Sequence, residues 1–193
     1  MCGFFGLQRF SLDKKEKISL SKKAINLLYS RGPDANGYVL DDKDNLVFSH
    51  NRLSILDLTE TGSQPMVSNS GNLLMIYNGE IYNHLILRQE LKDDNNFNNW
   101  KGTSDSETLI QAIDIWGIEK TLKKINGMFS FSIWNRQSKS LYLARDRFGE
   151  KPLYYSWIPH NASFVFASDL IFDKLFKNIK FELNDEALND LLH

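Results

Sequence analysis

The chain begins with its most reactive side chain. Cys2 is the only cysteine among 193 residues, and it lies one peptide bond from the amino terminus. Removal of Met1 would put a free α-amine, with a pKa of about 7.7, beside a thiol with a pKa of about 8.5, and the two could exchange a proton near neutral pH. The thiolate would attack while the amine manages the proton, which makes Cys2 a candidate nucleophile. The alternative is an inert small hydrophobe on a frayed terminus.

A thiol that cleaves an amide needs hydrogen-bond donors for the oxyanion that forms. Asn78 and Gly79 offer a carboxamide and a backbone N–H that no side chain shields, which is the composition of an oxyanion hole. Asn-Gly is also the commonest hairpin-turn signal, so a turn is the alternative interpretation. The pairs Asn36-Gly37 and Asn126-Gly127 are predicted to be such turns.

Two charged side chains could bind a charged substrate. Arg52 lies between strand-like segments, where a guanidinium could bind a carboxylate bidentately, although a surface salt bridge is the simpler alternative. Asp105 falls in the first turn of a predicted helix, where the helix dipole alone favours an acid. The four histidines have no metal-ligand spacing, and no glycine-rich phosphate loop is present. We therefore predict no metal, cofactor or nucleotide site in this chain.

Length and composition indicate one globular domain. A chain with 42% hydrophobic and 12% aromatic residues can fill a single large core. The net charge of −1, with both signs mixed, gives no footprint for nucleic acid or an anionic membrane. One cysteine, no export signal and no apolar run of membrane-spanning length predict a soluble protein of the reducing cytoplasm.

Hydrophobic patterning predicts a single α+β unit, with strands early, helices in the middle and strands late. The charge run from Asp13 to Lys17 is expected to be a solvated turn, and Ser104 and Glu107 have capping-box spacing at the start of a helix. The four strands after residue 127 are expected to form one antiparallel meander. Expected strands cover 4–10, 38–40, 46–49, 73–77, 128–134, 141–145, 153–157 and 164–167, and expected helices begin near residues 21, 84, 105 and 118, with short closing helices at 170–176 and 185–192.

Seven short motifs follow one another along the chain. They are Met1-Cys2-Gly3; Arg31-Gly32-Pro33-Asp34 with Gly37; His50-x-Arg52-Leu53-Ser54-Ile55-x-Asp57; Gln64-Pro65; Tyr77-Asn78-Gly79-Glu80-Ile81-Tyr82-Asn83; Ser104-Asp105-x-Glu107; and Arg145-Asp146-Arg147-Phe148-Gly149-x-Lys151-Pro152-Leu153-Tyr154-Tyr155. In this order they resemble the glutaminase domain of glutamine-dependent asparagine synthetases, from Cys2 to about Ser168. Other class II glutamine amidotransferases share the terminal Cys-Gly, whereas Arg-Leu-Ser-Ile and Lys-Pro-Leu-Tyr-Tyr are similar to the asparagine synthetase branch.

The resemblance implies a fold and a partner. The fold would be that of an N-terminal nucleophile hydrolase, an α+β four-layer αββα sandwich with two mostly antiparallel sheets between helices. Residues 2–180 would form the amidotransferase domain, and 181–193 would begin the connection to a C-terminal synthetase domain absent from this chain, which is expected to be a fragment. ATP and Mg²⁺ are implied only for that second domain, and a homodimer is left open. The family usually has glutamate after Phe-Ala-Ser, where this chain has Asp169.

The resemblance also implies a reaction. Cys2 would be the nucleophile and its α-amine the base, while Asn78 and the backbone of Gly79 would form the oxyanion hole. Attack on the side-chain amide of L-glutamine would give a γ-glutamyl thioester and ammonia, and water would then release glutamate. The ammonia would amidate an acceptor, aspartate in the asparagine synthetase branch, or a sugar or another carboxylate in related enzymes.

Substrate recognition is carried over from the same motifs. Arg52 would hold the α-carboxylate of glutamine, and Asp105 and Glu80 would receive its α-ammonium. The backbone of Leu53 and Ile55 would line the pocket. A zwitterionic amino acid needs one cation, one anion and a donor pair near the thiol, so the chemistry of the residues agrees.

Two other classes of function remain as alternatives. A family that binds abasic DNA covalently also begins Met-Cys-Gly, but it needs a basic groove, and the charge balance argues against one. A catalytically silent regulatory domain is the other alternative. The joint presence of Cys2, Arg52, Asn78 and Asp105 argues against it.

Overall fold

The computed structural model describes residues 1–8, 12–95, 97–158, 163–176, 185–186 and 189. The strands are β1 (Gly3–Gln8), β2 (Ala35–Asp41), β3 (Leu46–Arg52), β4 (Met66–Val67), β5 (Leu73–Ile81), β6 (Gly127–Asn135), β7 (Ser140–Arg145), β8 (Tyr154–Ile158) and β9 (Ser163–Ala167). The α-helices are α1 (Lys14–Leu27), α2 (His84–Asn95), α3 (Asp105–Trp116), α4 (Ile118–Lys124) and α5 (Phe172–Leu175), with short 3-10 helices at Tyr29–Arg31 and Glu60–Gly62.

The strands form two antiparallel sheets. The first has the order β2-β3-β1-β9-β8 and the second β4-β5-β6-β7. The start of the chain is the central strand of the first sheet, because β1 pairs with β3 on one side and β9 on the other. Gly3 pairs with Asn51, directly after Cys2. The amino terminus is therefore held by a sheet, and the frayed-terminus alternative is wrong.

The sheets divide the hydrophobic core into three clusters. Since side chains alternate across a strand, Phe5 and Leu7 face α1 and α5 while Phe4 faces the other sheet. Helices α2, α3 and α4 cover the outer face of the second sheet. The predicted α+β class with two antiparallel sheets is confirmed. The cluster between the sheets contains Phe4, Leu46, Phe48, Leu74, Ile76, Trp134 and Phe166.

The charged segment 13–17 is the capped beginning of a helix, so the predicted turn is wrong, although residues 13–16 are solvent-exposed as expected. The Asp13 side chain accepts from the Glu16 N–H at 2.8 Å, and Glu16 accepts in return from the Asp13 N–H at 2.9 Å. This reciprocal pair is a capping box, and it starts α1 seven residues earlier than expected. Lys17 is buried and pairs with Asp42 at 3.3 Å.

The Asn-Gly pairs are not hairpin turns. Asn36-Gly37 lies inside β2 and Asn78-Gly79 inside β5, and Gly127 is the first residue of β6. Close backbone contact explains these glycines better than turn geometry does. A Cβ added to Gly79 would lie 2.3 Å from the Met128 carbonyl oxygen, and one added to Gly127 would lie 2.1 Å from that of Glu80.

The late strands do not form one meander. β6 and β7 extend the second sheet, whereas β8 and β9 belong to the first. The segment between β7 and β8 crosses from one sheet to the other, and its Asp146 carboxylate accepts from the N–H groups of Phe148, Glu150 and Lys151. The helix expected at 185–192, the end of the strand expected at 4–10 and the domain boundary near residue 180 lie largely outside the described residues.

Candidate active site

A pocket of about 140 Å³ opens where the start of β1 meets the end of β5 and the start of α3. A cavity of this size can hold one small molecule. It is lined by every residue proposed from the sequence, namely Cys2, Arg52, Leu53, Ile55, Asn78, Gly79, Glu80 and Asp105. It is also lined by residues to which the sequence assigned no part in a site, namely Met1, Leu56, Asp57, Gly62, Gln64, Tyr77, Ser104, Ser106, Met128 and Lys151.

The thiol of Cys2 lies against the segment that follows β3. Its Sγ atom accepts from the Leu53 N–H at 3.4 Å and lies 3.7 Å from the Leu53 carbonyl oxygen. Burial raises the pKa of the Cys2 thiol, and the Leu53 N–H, the chain's amino terminus and Arg52 only partly offset that effect. The sulfur is therefore protonated at neutral pH, and attack requires a base that takes the proton.

Met1 is one of the residues that line the pocket. The residue is half exposed, and its Sδ atom lies 3.4 Å from the Nζ atom of Lys151. While Met1 is attached, the nitrogen of Cys2 is a peptide amide without a basic lone pair. The base that the thiol needs can therefore come from Cys2 itself only after Met1 is removed.

Asn78 holds a buried donor that has no partner. The side chain is 1% exposed, and no acceptor among the residues that the structure describes lies within hydrogen-bonding distance of its Nδ2 atom. Residues alternate along β5, so Asn78 faces the space between the sheets while Tyr77 faces the helices. An unpaired buried donor normally costs stability, and an anionic oxygen in the pocket would satisfy it.

Arg52 ends β3 and is 8% exposed. Its Nη1 atom donates to the Thr59 carbonyl oxygen at 2.6 Å, and its Nη2 atom donates to that of Asp57. Two of its five N–H groups therefore hold the segment after β3, and the guanidinium lines the pocket. The side chain is buried and these hydrogen bonds go to carbonyls, so the surface salt-bridge alternative is wrong.

Asp105 is the first residue of α3 and is 6% exposed. Its Oδ2 atom accepts from the Tyr77 hydroxyl at 2.6 Å and from the Ile81 N–H at 2.9 Å, and its Oδ1 atom accepts from the Ser106 N–H at 2.8 Å. A carboxylate has about four acceptor positions, so one remains for a donor in the pocket. Glu80 and Leu53 also line the pocket, and the exposed Ile55 lies at its rim.

Tyr77 is the main functional residue that sequence reasoning missed. Burial, and then the charge of Asp105, raise the pKa of Tyr77 well above its usual value, so the phenol stays protonated and donates to Asp105. Gln64 Oε1 accepts from the Tyr77 N–H at 2.7 Å, and the His50 Nε2 atom lies 3.0 Å from the Tyr77 carbonyl oxygen. Burial lowers the pKa of His50 to about 4, so the ring is neutral at pH 7. The only available signal was that all three residues occur in the ordered motifs.

The parts of the chain that the structure describes contain no group of three or more His, Cys, Asp or Glu side chains that could hold a metal ion. Within the same ranges, no helix has the length and apolar character needed to cross a membrane. Asp169, the departure from the family pattern, lies outside the pocket lining, with an oxygen 3.9 Å from the Nη1 atom of Arg31.

Comparison with known proteins shows the family. A family model described as a glutamine amidotransferase domain matches residues 1–193. The chain is 37% identical over 195 residues to glutamine-hydrolyzing asparagine synthetase 1 of Bacillus subtilis strain 168, covering 100% of this chain and 29% of that protein. It is 34% identical over 168 residues to asparagine synthetase B of Escherichia coli strain K12, covering 86% and 28%. It is 33% identical over 144 residues to amidase chry2 of Gibberella zeae, covering 75% and 21%.

The chain spans less than a third of the length of each of these three relatives. The family match, in contrast, extends over the whole chain. The chain therefore belongs to the glutamine amidotransferase domain family.

Proposed function

We propose that this chain hydrolyses the side-chain amide of L-glutamine to glutamate and ammonia. One observation carries the proposal: the pocket that holds the Cys2 thiol also holds the unpaired Asn78 amide, the Arg52 guanidinium and the Asp105 carboxylate. Membership of the glutamine amidotransferase domain family supports the same reaction.

The charges of the pocket match an amino-acid head group. Arg52 would bind the α-carboxylate of glutamine through N–H groups that the carbonyls of residues 57 and 59 do not use. Asp105 would accept from the α-ammonium at its remaining acceptor position, and Glu80 would add a second negative charge at the pocket. The backbone of Leu53 and Ile55 would line the space between these groups and the thiol. The pocket lining carries two cations, Arg52 and Lys151, and three carboxylates, Asp57, Glu80 and Asp105, so it favours a zwitterion over an uncharged amide.

The reaction follows from the remaining groups. The Cys2 sulfur would form a bond to the amide carbon of the glutamine side chain, and the carbonyl oxygen would become an oxyanion. Asn78 Nδ2 and the Gly79 N–H would donate to that oxygen, and these hydrogen bonds would strengthen as negative charge develops on it. The carbon–nitrogen bond would then break, the nitrogen would take the proton that left the thiol, and ammonia would depart. Water would cleave the thioester to release glutamate and restore the thiol.

The proton would be carried by the α-amine of Cys2 once Met1 is removed. Burial raises the pKa of the thiol, so an adjacent base is needed at neutral pH. An α-amine with a pKa of about 7.7 can both take the proton and return it.

We also propose that the fold is the four-layer αββα sandwich of the N-terminal nucleophile hydrolases. Its support is the division of the core into three clusters, one between the sheets and one on the outer face of each sheet. The position of Cys2 at the start of the central strand of one sheet also fits that fold.

The ammonia would serve an acceptor bound outside this pocket. Two of the relatives are named asparagine synthetases, so we propose aspartate as the acceptor, in an ATP- and Mg²⁺-dependent synthetase domain that would follow residues 181–193. A third relative is named an amidase, so an acceptor other than aspartate is the second candidate.

The test combines a mass spectrum of the mature protein with glutamate release from glutamine. We expect loss of Met1, measurable hydrolysis, and its abolition in Cys2→Ala at unchanged thermal stability. Retained Met1 with undiminished turnover would show that the α-amine is not the base, and full activity in Cys2→Ala would refute the thioester. A gel shift with abasic DNA tests the alternative class, and we expect no complex.

A further inference from the structure

We propose that Asp57 is a positioning residue that fixes the spacing between Arg52 and Asp105 and so makes the pocket selective for an amino-acid head group. The inference rests on the proposed function, because it concerns how those two side chains would bind glutamine. It adds a pocket-lining residue to which the substrate-binding roles above assign no contact.

The Asp57 carboxylate is saturated with hydrogen bonds. Its Oδ1 atom accepts from the Thr59 N–H at 2.9 Å and from the Thr59 hydroxyl at 2.6 Å. Its Oδ2 atom accepts from the Thr61 hydroxyl at 2.9 Å and from the Thr103 N–H at 3.0 Å. The residue is 5% exposed, so these four donors replace the water that an exposed carboxylate would bind.

The four hydrogen bonds join the two charged sides of the pocket. Arg52 donates to the carbonyl oxygens of Asp57 and Thr59, so its guanidinium moves with this segment. Thr103, on the other side, directly precedes Ser104, the residue that caps α3, and α3 begins at Asp105. One carboxylate therefore connects the segment that holds Arg52 to the segment that presents Asp105.

Packing and charge make this connection rigid. A Cβ added to Gly102 would lie 2.2 Å from the Thr61 Oγ1 atom and 2.6 Å from the Asp57 Oδ2 atom, so the two segments are in direct contact. Burial alone would raise the pKa of Asp57, but the hydrogen bonds from Thr59, Thr103 and Thr61 outweigh it and hold that pKa below its usual value. Hydrogen bonds to an ionised acceptor are about twice as strong as neutral ones.

Spacing matters because the head group of glutamine is short and rigid. Its carboxylate and ammonium are attached to one carbon, so Arg52 and Asp105 can bind both only at one separation. A displacement of about 1 Å in a positioning contact can reduce rate or affinity severely. Loss of the Asp57 carboxylate should therefore weaken head-group binding and leave the thiol itself as reactive as before.

The experiment compares two electrophiles that alkylate Cys2 in the 193-residue chain. Iodoacetamide reports the reactivity of the thiol, and a chloroketone analogue of glutamine reports the thiol together with head-group recognition. In Asp57→Asn we expect the concentration of chloroketone that gives half-maximal labelling rate to rise about tenfold, as for the loss of one strong contact. The iodoacetamide rate should stay unchanged. The KM for glutamine should rise by the same factor while kcat changes little.

Glu107→Gln is the matched control. Glu107 is also a buried carboxylate, and it accepts from the N–H groups of Lys101 at 2.7 Å and Gly102 at 3.0 Å, on the same segment as Thr103. Its ion pair is with Arg88 of α2, not with the segment that holds Arg52. In this variant we expect the chloroketone concentration that gives half-maximal labelling rate to stay near the wild-type value. Thr61→Val, which removes one of the four donors to Asp57, should give a smaller rise and stays informative if Asp57→Asn does not fold.

Three results would overturn the inference. An unchanged chloroketone concentration in Asp57→Asn and Thr61→Val would show that Asp57 does not position the charged groups. An equal rise in Glu107→Gln would show that any loosening of residues 101–104 has the same effect. A wild-type chain without preference for the chloroketone over iodoacetamide would refute the proposed function itself, and the inference with it.

Discussion

The two sides of the pocket differ in whether their polar groups already have hydrogen-bond partners within the protein. On the recognition side, which comprises Arg52, Asp57 and Asp105, each carboxylate accepts three or four hydrogen bonds from the protein. On the reaction side, which comprises Cys2, Asn78 and Gly79, the buried Asn78 Nδ2 atom lacks a partner among the described residues.

In the proposed reaction, this difference would separate substrate binding from the chemical step. Charged groups that are already held in place lose little freedom when a substrate binds, so they supply affinity in the ground state. A donor left unpaired costs stability in the free protein, but it is ready for a charge that appears only during the reaction. We therefore expect changes on the recognition side to act on KM and changes on the reaction side to act on kcat.

Among variants that keep the Cys2 nucleophile, the largest effect is expected from Asn78→Ala. Loss of one oxyanion donor should lower kcat for glutamine hydrolysis by about 10²–10³ and leave KM nearly unchanged. Steady-state kinetics measure both values. Ser130→Ala is the control, because Ser130 pairs with Asn78 across β5 and β6 and its Oγ atom is also buried without a partner among the described residues, but it does not line the pocket. A loss expressed in KM alone would move Asn78 to the recognition side.

A smaller effect, on KM and not on kcat, is expected from Asp105→Asn. The variant keeps the size of the side chain and removes the charge that would bind the α-ammonium of glutamine. KM should rise by about tenfold to a hundredfold, as expected for a buried contact with a charged group, while kcat changes little. An unchanged KM in the same kinetic assay would remove Asp105 from the binding site and would break the comparison.

Tyr77→Phe should have a milder effect on KM. The substitution removes the hydroxyl that donates to Asp105 at 2.6 Å and leaves the Ile81 and Ser106 N–H groups in place. We expect KM to rise about fivefold with kcat preserved, since a single donor to a held carboxylate is lost. Tyr155→Phe, at an exposed phenol on β8, is the control. A fall in kcat without a change in KM would contradict a positioning role.

The smallest effect at neutral pH is expected from His50→Gln, because His50 contacts the Tyr77 carbonyl and does not line the pocket. Glutamine cannot titrate but can still donate to the Tyr77 carbonyl. In the wild type the unfolded His50, with a pKa near 6.5, binds a proton that the folded form resists until about pH 4. Stability should therefore fall as pH decreases through this window, by up to about 3 kcal/mol from this residue. Urea denaturation at pH 7 and pH 4.5 should show a smaller fall in His50→Gln, and an equal fall would contradict a neutral buried ring.

Much of the local structure was predictable from neighbouring residues. The caps of α3 at Ser104 and Gly117 follow from capping chemistry, and the buried apolar run at 73–77 correctly predicted β5. The Ser104 side chain accepts from the Glu107 N–H as a capping box requires, but the Glu107 carboxylate binds the N–H groups of Lys101 and Gly102 instead of returning to Ser104. The partner of the Glu107 carboxylate therefore depended on where residues 101–102 lie, which the local sequence pattern did not predict.

Apart from the start of α1, where a local capping box was missed, the errors concern contacts between distant parts of the chain. Asn78-Gly79 has the local signature of a turn, yet pairing of β5 with β6 keeps it extended, because nine successive residues form the ladder. The strands after residue 127 have the spacing of a meander, yet β9 pairs with β1. Local propensity differs by only about 1 kcal/mol between such states, and burial against another sheet outweighs it.

The amino-acid sequence by itself determined which chemical groups are available: one thiol near an amine, one carboxamide, a cation and an anion, each in a motif of recognisable order. Only the tertiary structure decided that these groups meet in one pocket and which of them are already hydrogen-bonded. It raised the pKa of the thiol, kept His50 neutral and left the Asn78 amide unpaired. Distance, desolvation and hydrogen-bond satisfaction depend on residues far apart in the chain, so they arise only when the sheets pack together.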